Sequence, residues 1–347
     1  MCYMNGRRVT DIGGIAEVCY NGSVLFSNRL FRRIVLVGDF GLAWSSDDGA
    51  TFNTVQINGA ARSLKAAELV DGVLYVAGDG GFLARTGDLN AFASWQDLSY
   101  DSSMNYIDVC AGGGSVVALA GGNKCSASLS GGSFATVDMP GSNLGPMSYG
   151  NGVFVSPSGT WGGFGAYSSD GGRSWSATRI CATKRMQFSG SAPEAYPCRN
   201  VAFGSGMFLA SSGIWDGSSN HYQYSHSVNG ADWTTVEMTP GAAASFCYRA
   251  ATLYFGGYFY ALDFRDAHYI DPARVSEGTA GRNLLWKMDN EKHAACACGG
   301  FALVASSGRY GAVENKLAVF RGAINDGACE FVRDVSLAGT IREVVAI

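Results

Sequence analysis

A short apolar strand that ends in small or turn-forming residues recurs seven times along the chain, and this repeat constrains the fold more than any other feature. The copies are IVLVGDFG (34–41), VLYVAGDGG (73–81), SVVALAGGN (115–123), GVFVSPSGTWGG (152–163), GMFLASSGIWDG (206–217), GYFYALDFRD (257–266) and GFALVASSGRYG (300–311). Most copies follow another short strand that ends in glycine, which is the pattern of a tight β-hairpin. Each repeat therefore predicts several short antiparallel strands.

A second repeated unit, a turn rich in serine, aspartate and glycine, follows the third strand of the repeat. Its two best copies share Ser45, Asp47, Gly49 and Phe52 in one case and Ser168, Asp170, Gly172 and Trp175 in the other. An aspartate in such a turn accepts hydrogen bonds from nearby backbone N–H groups, and glycine supplies a positive φ. The pattern therefore predicts a structural role, in which the turn joins two strands and the aromatic residue packs back on it.

Weaker copies of this turn have one residue fewer, and all copies together recur roughly every 40–50 residues. The weaker copies are Thr86, Asp88 and Phe92; Ser128, Ser130 and Phe134; and Ser227, Asn229 and Trp233. Four antiparallel strands at this period are typical of a β-propeller. We predict an all-β fold, a single β-propeller of seven four-stranded blades, with six or eight blades as alternatives.

The repeat spans the chain without a linker, so we expect one domain over residues 1–347. The blades are predicted at roughly 14–58, 62–99, 104–139, 144–180, 199–238, 246–289 and 294–334. Residues 335–347 contain IREVVAI, which has the character of an innermost strand. We expect N- and C-terminal strands to complete the first blade together, because ring closure removes exposed sheet edges.

Composition excludes several classes of function. The chain carries a net charge of −4 and no basic stripe, which argues against a nucleic-acid partner. No apolar stretch approaches the ~20 residues of a membrane span, and the first residues contain no apolar segment typical of a signal peptide.

The ten cysteines suggest an oxidising environment, whereas the missing export signal does not. A protein that is made in a cytosol and then functions outside the cell, such as a virion component, would account for both the cysteine content and the missing export signal.

The turn S-x-D-x-G-x-x-W/F resembles the Asp-box, or BNR repeat, of sialidase-like propellers. Such repeats occur in sialidases, photosystem assembly factors, sorting receptors and bacteriophage virion proteins. The sequence NGVFVSPSGTW followed by AYSSDGGRSWS (151–161 and 166–176) is most similar to the phage type. The resemblance implies a virion (tail, fibre or decoration) component, which would bind other virion proteins or host-surface carbohydrate, with a homo-oligomer as one option for its assembly.

An active sialidase would need an arginine triad, a Tyr–Glu nucleophile pair and an aspartic acid. The chain has LFRRIVLV (30–37) without the proline of the family motif, and Arg199 and Arg249 do not complete a triad. We therefore expect a non-catalytic binding protein, with a divergent sialidase-like glycoside hydrolase as one alternative. A photosystem-assembly-factor-like propeller is another, although it would carry an export or lipid signal and a basic patch, and neither is visible.

In a propeller, the loops between strands 2 and 3 and between blades share one face, here called the long-loop face. Its loops lengthen in the later blades and gather aromatic and charged residues, which are candidates for contacts with a ligand or partner. The candidates are Trp161, Phe164, Lys184, Arg185, Trp215, His221, Tyr222, Arg265 and Tyr269.

Cysteines and motifs give no cofactor or metal site. Cys181 and Cys198 flank a long loop between blades and are candidates for a disulfide that would stiffen it. The segment HAACAC (293–298) lacks the C-x₂-C spacing of a zinc site. We expect no bound cofactor and no metal ion.

Overall fold

The computed structural model describes residues 33–347 with gaps, together with four short strands that precede residue 33. The gaps are residues 61, 130–131, 161, 182–197, 199, 216–219, 238–251, 263–266, 279–280, 284–290, 299–300, 308–314 and 322–327.

Seven four-stranded antiparallel sheets make up the described structure and are arranged as a β-propeller, as the sequence predicts. The strands of each blade are given from the inner strand outward. Blade 1 consists of Ile341–Ala346, Ile34–Gly38, Gly41–Ser45 and Asn53–Val55, and blade 2 of Leu64–Val70, Val73–Gly78, Leu83–Thr86 and Gln96–Asp97. Blade 3 consists of Tyr106–Gly112, Ser115–Ala120, Lys124–Leu129 and Ala135–Asp138, and blade 4 of Ser148–Gly150, Val153–Pro157, Phe164–Ser168 and Ser176–Arg179. Blade 5 consists of Asn200–Gly204, Met207–Trp215, Asn220–Ser227 and Thr234–Glu237, and blade 6 of Thr252–Phe255, Tyr258–Leu262, Ala267–Ile270 and Gly281–Asn283. Blade 7 consists of Glu291–Cys298, Phe301–Ser307, Asn315–Arg321 and Ala328–Val335.

Helix is almost absent from the described residues, which contain one short 3-10 helix, Pro272–Glu277. Asp271 caps it, because its carboxylate accepts a hydrogen bond from the backbone N–H of Ala273 at 2.9 Å. None of the described helical structure has the length and hydrophobicity needed to cross a membrane.

The C-terminal strand closes the ring. Ile341–Ala346 pairs antiparallel with Ile34–Gly38 and is thereby the inner strand of blade 1. The four strands before residue 33 pair only with one another, as Tyr3–Met4 with Arg7–Arg8 and Glu17–Tyr20 with Ser23–Ser27. Although the sequence analysis starts the first blade near residue 14, the four-stranded sheet starts at Ile34, because the C-terminal strand occupies its inner edge.

The core consists of seven hydrophobic clusters, one between each pair of neighbouring blades. Alternation along each strand makes this arrangement possible, because successive side chains point to opposite faces of a sheet. In blade 1, Ile34 and Leu36 pack towards blade 7, whereas Val35 and Val37 pack towards blade 2. Each strand therefore supplies two interfaces, and the apolar character of second strands such as Ile34–Gly38 follows from burial on both faces.

The strand order defines the two ends of the ring. Each inner strand of blades 2 to 7 begins at the long-loop face and ends at the opposite face. That opposite face, here called the turn face, carries the turns between strands 1 and 2 and between strands 3 and 4 of each blade. The Ser/Asp turns lie on the turn face.

We expect the closing strand to determine much of the stability of the ring. Replacing the fully buried Ile341 by alanine should lower the free energy of unfolding by ~2–5 kcal/mol, because it leaves a cavity between the first and last blades. Replacing its exposed neighbour Arg342, which pairs with Asp39 at 3.5 Å, should cost below ~1 kcal/mol. Thermal or urea unfolding of both variants provides the measurement, and equal losses would contradict the argument.

Candidate functional site

The Ser/Asp turn of blade 1 is held by a compact set of hydrogen bonds. The Ser45 hydroxyl donates to Asp47 Oδ1 at 2.6 Å and accepts from the N–H of Gly49 at 2.8 Å. The two carboxylate oxygens of Asp47 accept from the N–H and the hydroxyl of Thr51 at 2.9 and 2.7 Å. Both oxygens of this carboxylate are therefore committed to the turn.

Blade 4 repeats this geometry residue for residue. Asp170 accepts from the N–H and hydroxyl of Ser174 at 2.9 and 2.7 Å, and Ser168 Oγ accepts from the N–H of Gly172 at 2.9 Å. The indole N–H of Trp175 donates to the carbonyl of Gly172 at 3.0 Å and so fastens the aromatic ring to the turn. The prediction that these residues act structurally agrees with this set of bonds.

The weaker copies use the same principle with different residues. In blade 5, Asn229 takes the place of aspartate, and its Oδ1 accepts from the N–H groups of Ala231 and Asp232 at 3.0 and 2.9 Å. The Trp233 indole donates to the carbonyl of Gly230 at 2.9 Å. The turn that contains Ser130 lies outside the described residues.

In blade 2, the alignment of Phe92 with Trp175 is wrong. The residue whose indole fastens this turn is Trp95, which donates to the carbonyl of Phe92 at 2.8 Å. Phe92 instead stands where the other turns have glycine, with φ of 53°. Its buried ring contacts Trp44 of blade 1 at a centroid distance of 5.6 Å. The turn is longer in blade 2 than in blades 1 and 4, so the spacing in the sequence did not identify Trp95 as the aromatic residue that closes it.

The turn glycines also explain how the turns meet the neighbouring blade. Gly172 has φ of +85°, and a Cβ there would lie 2.5 Å from Val117 of blade 3. Gly49 has φ of +80°, and a Cβ there would lie 2.7 Å from Leu317 of blade 7. Glycine is therefore required both by the backbone conformation and by the close approach of the preceding blade.

Of the predicted contact residues, Phe164 and Tyr269 have described side chains. Phe164 is 47% exposed at the long-loop end of blade 4, with the guanidinium of Arg179 6.0 Å from its ring centroid. Tyr269 is half-buried and packs against Tyr258 and Tyr260, with ring centroids at 5.8 and 6.3 Å. Tyr269 therefore contributes to blade 6, whereas Phe164 is available to a partner.

The other predicted contact residues are placed only in part. Trp215, His221 and Tyr222 lie on paired strands rather than on a loop, opposite Asn220, Ile214 and Gly213 respectively. Strands 2 and 3 of blade 5 are thus extended as a hairpin towards the long-loop face. Trp161, Lys184, Arg185 and Arg265 lie outside the described residues.

Cys181 and Cys198 form a disulfide in the structure. Both are fully buried and belong to the hydrophobic cluster between blades 4 and 5. The bond closes the segment between them and attaches both of its ends to the core at the long-loop face.

A cavity of about 480 Å³ lies in the central channel, lined by the inner strands. Its lining includes three carboxylates, Glu68 of blade 2, Asp108 of blade 3 and Glu343 of the closing strand. The remaining lining side chains are small or apolar, apart from Asn200, Thr252 and Cys296. The described part of the lining contains no lysine, arginine or histidine.

These carboxyl groups hold their protons more tightly than usual. Burial, together with the negative charge of Asp108, raises the pKa of Glu68 from 4.5 to about 8. Burial likewise raises the pKa of Glu343 to about 8, and the charges of Asp108 and Glu68 add to the effect. Burial raises the pKa of Asp108 to about 6, although Met147 N–H donates to its Oδ2 at 2.6 Å. The channel therefore contains carboxyl groups that are partly neutral at pH 7.

Towards the turn face, aromatic residues pack between neighbouring inner strands. Tyr149, Phe203 and Tyr254 each pack on a glycine near the end of the preceding inner strand, namely Gly112, Gly150 and Gly204. At the other end, the lining includes Pro146 and the first residues of the inner strands of blades 5 and 6, which lie at the long-loop face. The lining also includes Leu69, Ala297 and Ala346, which lie near the turn-face ends of their strands, so the cavity extends along the channel and reaches its opening at the long-loop face.

A shallower depression of about 300 Å³ adjoins this opening and shares Pro146 and Asn200 with it. Its apolar lining includes Leu144 and Ile107, and Ile107 is 41% exposed. We call this depression the apolar shelf. The channel cavity and the apolar shelf form one continuous surface at blades 3 to 5.

The sequence analysis missed the channel carboxylates, although a signal was present. Each of the three is the one acidic residue of a mostly apolar inner strand, in AELVDG, IDVCAGGG and IREVVAI, although the first of these strands also contains Lys65 and the last Arg342. A single acidic residue in a strand buried on both faces is unusual, because burying an unpaired charge is costly. Among the described residues, no group of three His, Cys, Asp or Glu side chains could hold a metal ion.

We expect the turn carboxylate of Asp47 to stabilise the fold at neutral pH and to stop doing so in acid. Partial burial alone would raise its pKa, but hydrogen bonds from Ser45 and Thr51 outweigh this and lower it from 3.8 to about 2. The stabilisation is complete above pH 3.8 and is lost as the pH falls towards 2. Asp47→Ala should therefore lower stability by ~1–2 kcal/mol at pH 7 and by little at pH 2.

The matched control for that variant is Asp47→Asn, which keeps one acceptor oxygen. Because Asn229 performs the same role in blade 5, this variant should lose less stability than Asp47→Ala. Thermal unfolding at several pH values measures both. An alanine effect that is as large at pH 2 as at pH 7 would contradict the assignment.

We expect the channel carboxylates to have the opposite effect on stability, so that the folded state becomes less stable as the pH rises. Since the folded state keeps the Glu68 proton up to about pH 8 and the unfolded state loses it near 4.5, stability should fall as the pH rises between these values. Glu68→Gln should raise the free energy of unfolding at pH 8.5 by at least ~1 kcal/mol and change it little at pH 4.5. Thermal melts across this range provide the test, and equal shifts at both pH values would refute it.

No protein-family model matches the sequence, and no curated protein matches it. Among solved structures, one of YCF48 bound to a D1 peptide has a TM-score of 0.54 at 11% identity and covers 78% of this chain and 85% of that chain. The computationally designed Ika8 protein has a TM-score of 0.49 at 12% identity and covers 84% of this chain and 98% of its own. The chain is thus similar in fold to a propeller whose structure was solved with a peptide bound.

Proposed function

We propose that this chain is a non-catalytic binding propeller that holds a segment of another protein on its long-loop face. The observation that carries this proposal is the continuous surface formed by the channel cavity and the apolar shelf. A cavity of this size lies within the ~300–1,000 Å³ of ligand sites, and it adjoins an exposed apolar side chain on a rigid scaffold. Such a surface combines a pocket for one side chain with a shelf for its neighbour.

The fold supports a peptide-binding role by precedent. YCF48, which is similar in fold to this chain, has been solved with a D1 peptide bound. The two proteins share 11% identity, so the likeness concerns the scaffold and not the residues of the site. The argument for the site therefore rests on the side chains of this chain alone.

We also propose that the Ser/Asp turns are Asp-boxes and that the chain is a bacteriophage virion component. The repeated Ser–Asp hydrogen bonding at residues 45–52 and 168–175 supports the first part. The phage-like wording of the repeats supports the second part. In a virion, the protein partner would be another virion protein, and the exposed ring of Phe164 would be suited to stacking on a host-surface sugar.

A glycoside hydrolase is the second candidate function. The observation that favours it is the presence of carboxyl groups with different pKa values, about 6 and about 8, in one cavity. Glycoside hydrolysis uses one protonated and one ionised carboxyl group. Release of sugar from chromogenic sialosides or host polysaccharide, abolished by both Glu68→Gln and Asp108→Asn, would replace the binding proposal with this one.

The binding proposal is tested with the full chain on two arrays, one of glycans and one of hexapeptides whose two central positions cover all residue pairs. We expect peptide binding that Ile107→Asp weakens at least tenfold, because a charge on the apolar shelf would have to be desolvated. Val228→Asp is the matched control, since Val228 is a 62% exposed apolar residue that follows strand 3 of blade 5 at the turn face.

Each result of the array experiment decides the proposal. Peptide binding that both variants weaken equally would argue against the shelf. Binding to glycans alone, weakened by Phe164→Ala, would move the proposal to carbohydrate recognition. A folded chain that binds neither array would overturn the peptide-binding function.

A further inference from the structure

We propose that the channel cavity receives the arginine or lysine side chain of a partner segment, while an apolar residue next to it lies on the apolar shelf. The inference deepens the proposed peptide-binding function and rests on it. It names the chemistry of the partner: an extended segment that carries a cationic side chain beside an apolar one.

The first argument is the environment of Glu68. In the part of the chain that the structure describes, its carboxylate accepts no hydrogen bond and forms no ion pair. Glu68 is half-buried and lines the cavity. Its nearest cation along the strand, Lys65, pairs instead with Asp79 at 3.4 Å. A carboxylate that has lost much of its contact with water and has no partner is costly, which points to a group that binds there.

The second argument is charge complementarity. Among the residues that the structure describes, the lining contains three carboxylates and no basic residue, and the carboxylates come from blades 2 and 3 and the closing strand. They therefore surround the cavity from several sides rather than forming a pair on one strand. A single positive charge at the centre would interact favourably with all three, and the low polarity of the surroundings would strengthen the attraction.

The third argument is size. No three acidic, histidine or cysteine side chains among the described residues are arranged to hold a metal ion. The carboxylates instead border a space of about 480 Å³ whose wall includes Ala67, Ala294 and Ala295. Such a space suits a side chain with an apolar stem and a charged end. Arginine fits best, because its planar guanidinium offers five donors to carboxylates at different angles.

The acidic groups also predict how such binding responds to pH. The titratable groups that interact with one another across the channel are Glu68, Asp108 and Glu343, together with the Cys110 and Cys296 thiols. A bound cation favours the ionised carboxylates, so binding should release protons. If one proton is released, affinity rises about tenfold per pH unit between about 6 and 8.

The experiment uses the full chain and the hexapeptide array, followed by calorimetry with the best-bound peptide and with its citrulline counterpart. We expect the array to select arginine or lysine next to an apolar residue, and citrulline to weaken binding at least tenfold. Glu68→Gln and Glu343→Gln should each weaken it at least tenfold while the proteins remain folded. Asp71→Asn is the matched control, since Asp71 follows the same inner strand as Glu68 but lies at the turn face.

The outcomes separate this inference from the function on which it rests. Peptides selected without a basic residue, or binding that is unchanged in Glu68→Gln and unchanged between pH 6 and 8, would overturn the inference and leave the peptide-binding function standing. Thermal stabilisation by Ca²⁺ or spermidine, with no peptide bound, would assign the cavity to a small cation and overturn it too. Tenfold losses confined to the channel variants, with proton release, would support it.

Discussion

The antiparallel pairing of Ile341–Ala346 with Ile34–Gly38 is the interaction on which the rest of the structure depends. Each blade is stabilised mainly by its two neighbours, so an open ring would leave two sheet faces without a partner. The same pairing completes the candidate site, because Glu343 lies on the closing strand and enters the channel only when the ring is closed. Closure of the fold and formation of the cavity are thus one event.

The two faces of the ring differ in what their residues contact: the turn face packs on neighbouring blades, whereas the long-loop face carries the candidate binding surface. On the turn face, turn residues contact the preceding blade directly, as Gly172 does with Val117 and Phe92 with Trp44. These turns use their polar groups internally and have little left to offer a ligand. The long-loop face also has close backbone contacts, as between Gly81 and Asp101, but it holds in addition the cavity, the apolar shelf and Phe164. The packed turn face therefore holds the blades together, and the long-loop face remains available for binding.

The fold could be predicted from the sequence because its determinants are local and repeated. Alternating apolar residues, glycine turns and the Ser/Asp pattern each act within a few residues, and they recur with the blade. The site could not be predicted in the same way, because Glu68, Asp108 and Glu343 meet only after the ring closes. Trp95 was missed for a related reason, since the length of a turn is invisible until the indole is seen to close it.

The carboxylates of this protein fall into two groups that act in opposite directions. In the turns, hydrogen bonds favour the ionised form, so Asp47 stabilises the fold at neutral pH. In the channel, burial disfavours that form, so Glu68 and Glu343 cost stability at the same pH. An apolar residue at either channel position would remove this cost without disturbing the strand. Because Glu68 and Glu343 line a cavity whose other described side chains are mostly small or apolar, these acids are better explained by a group that they bind than by a contribution to stability.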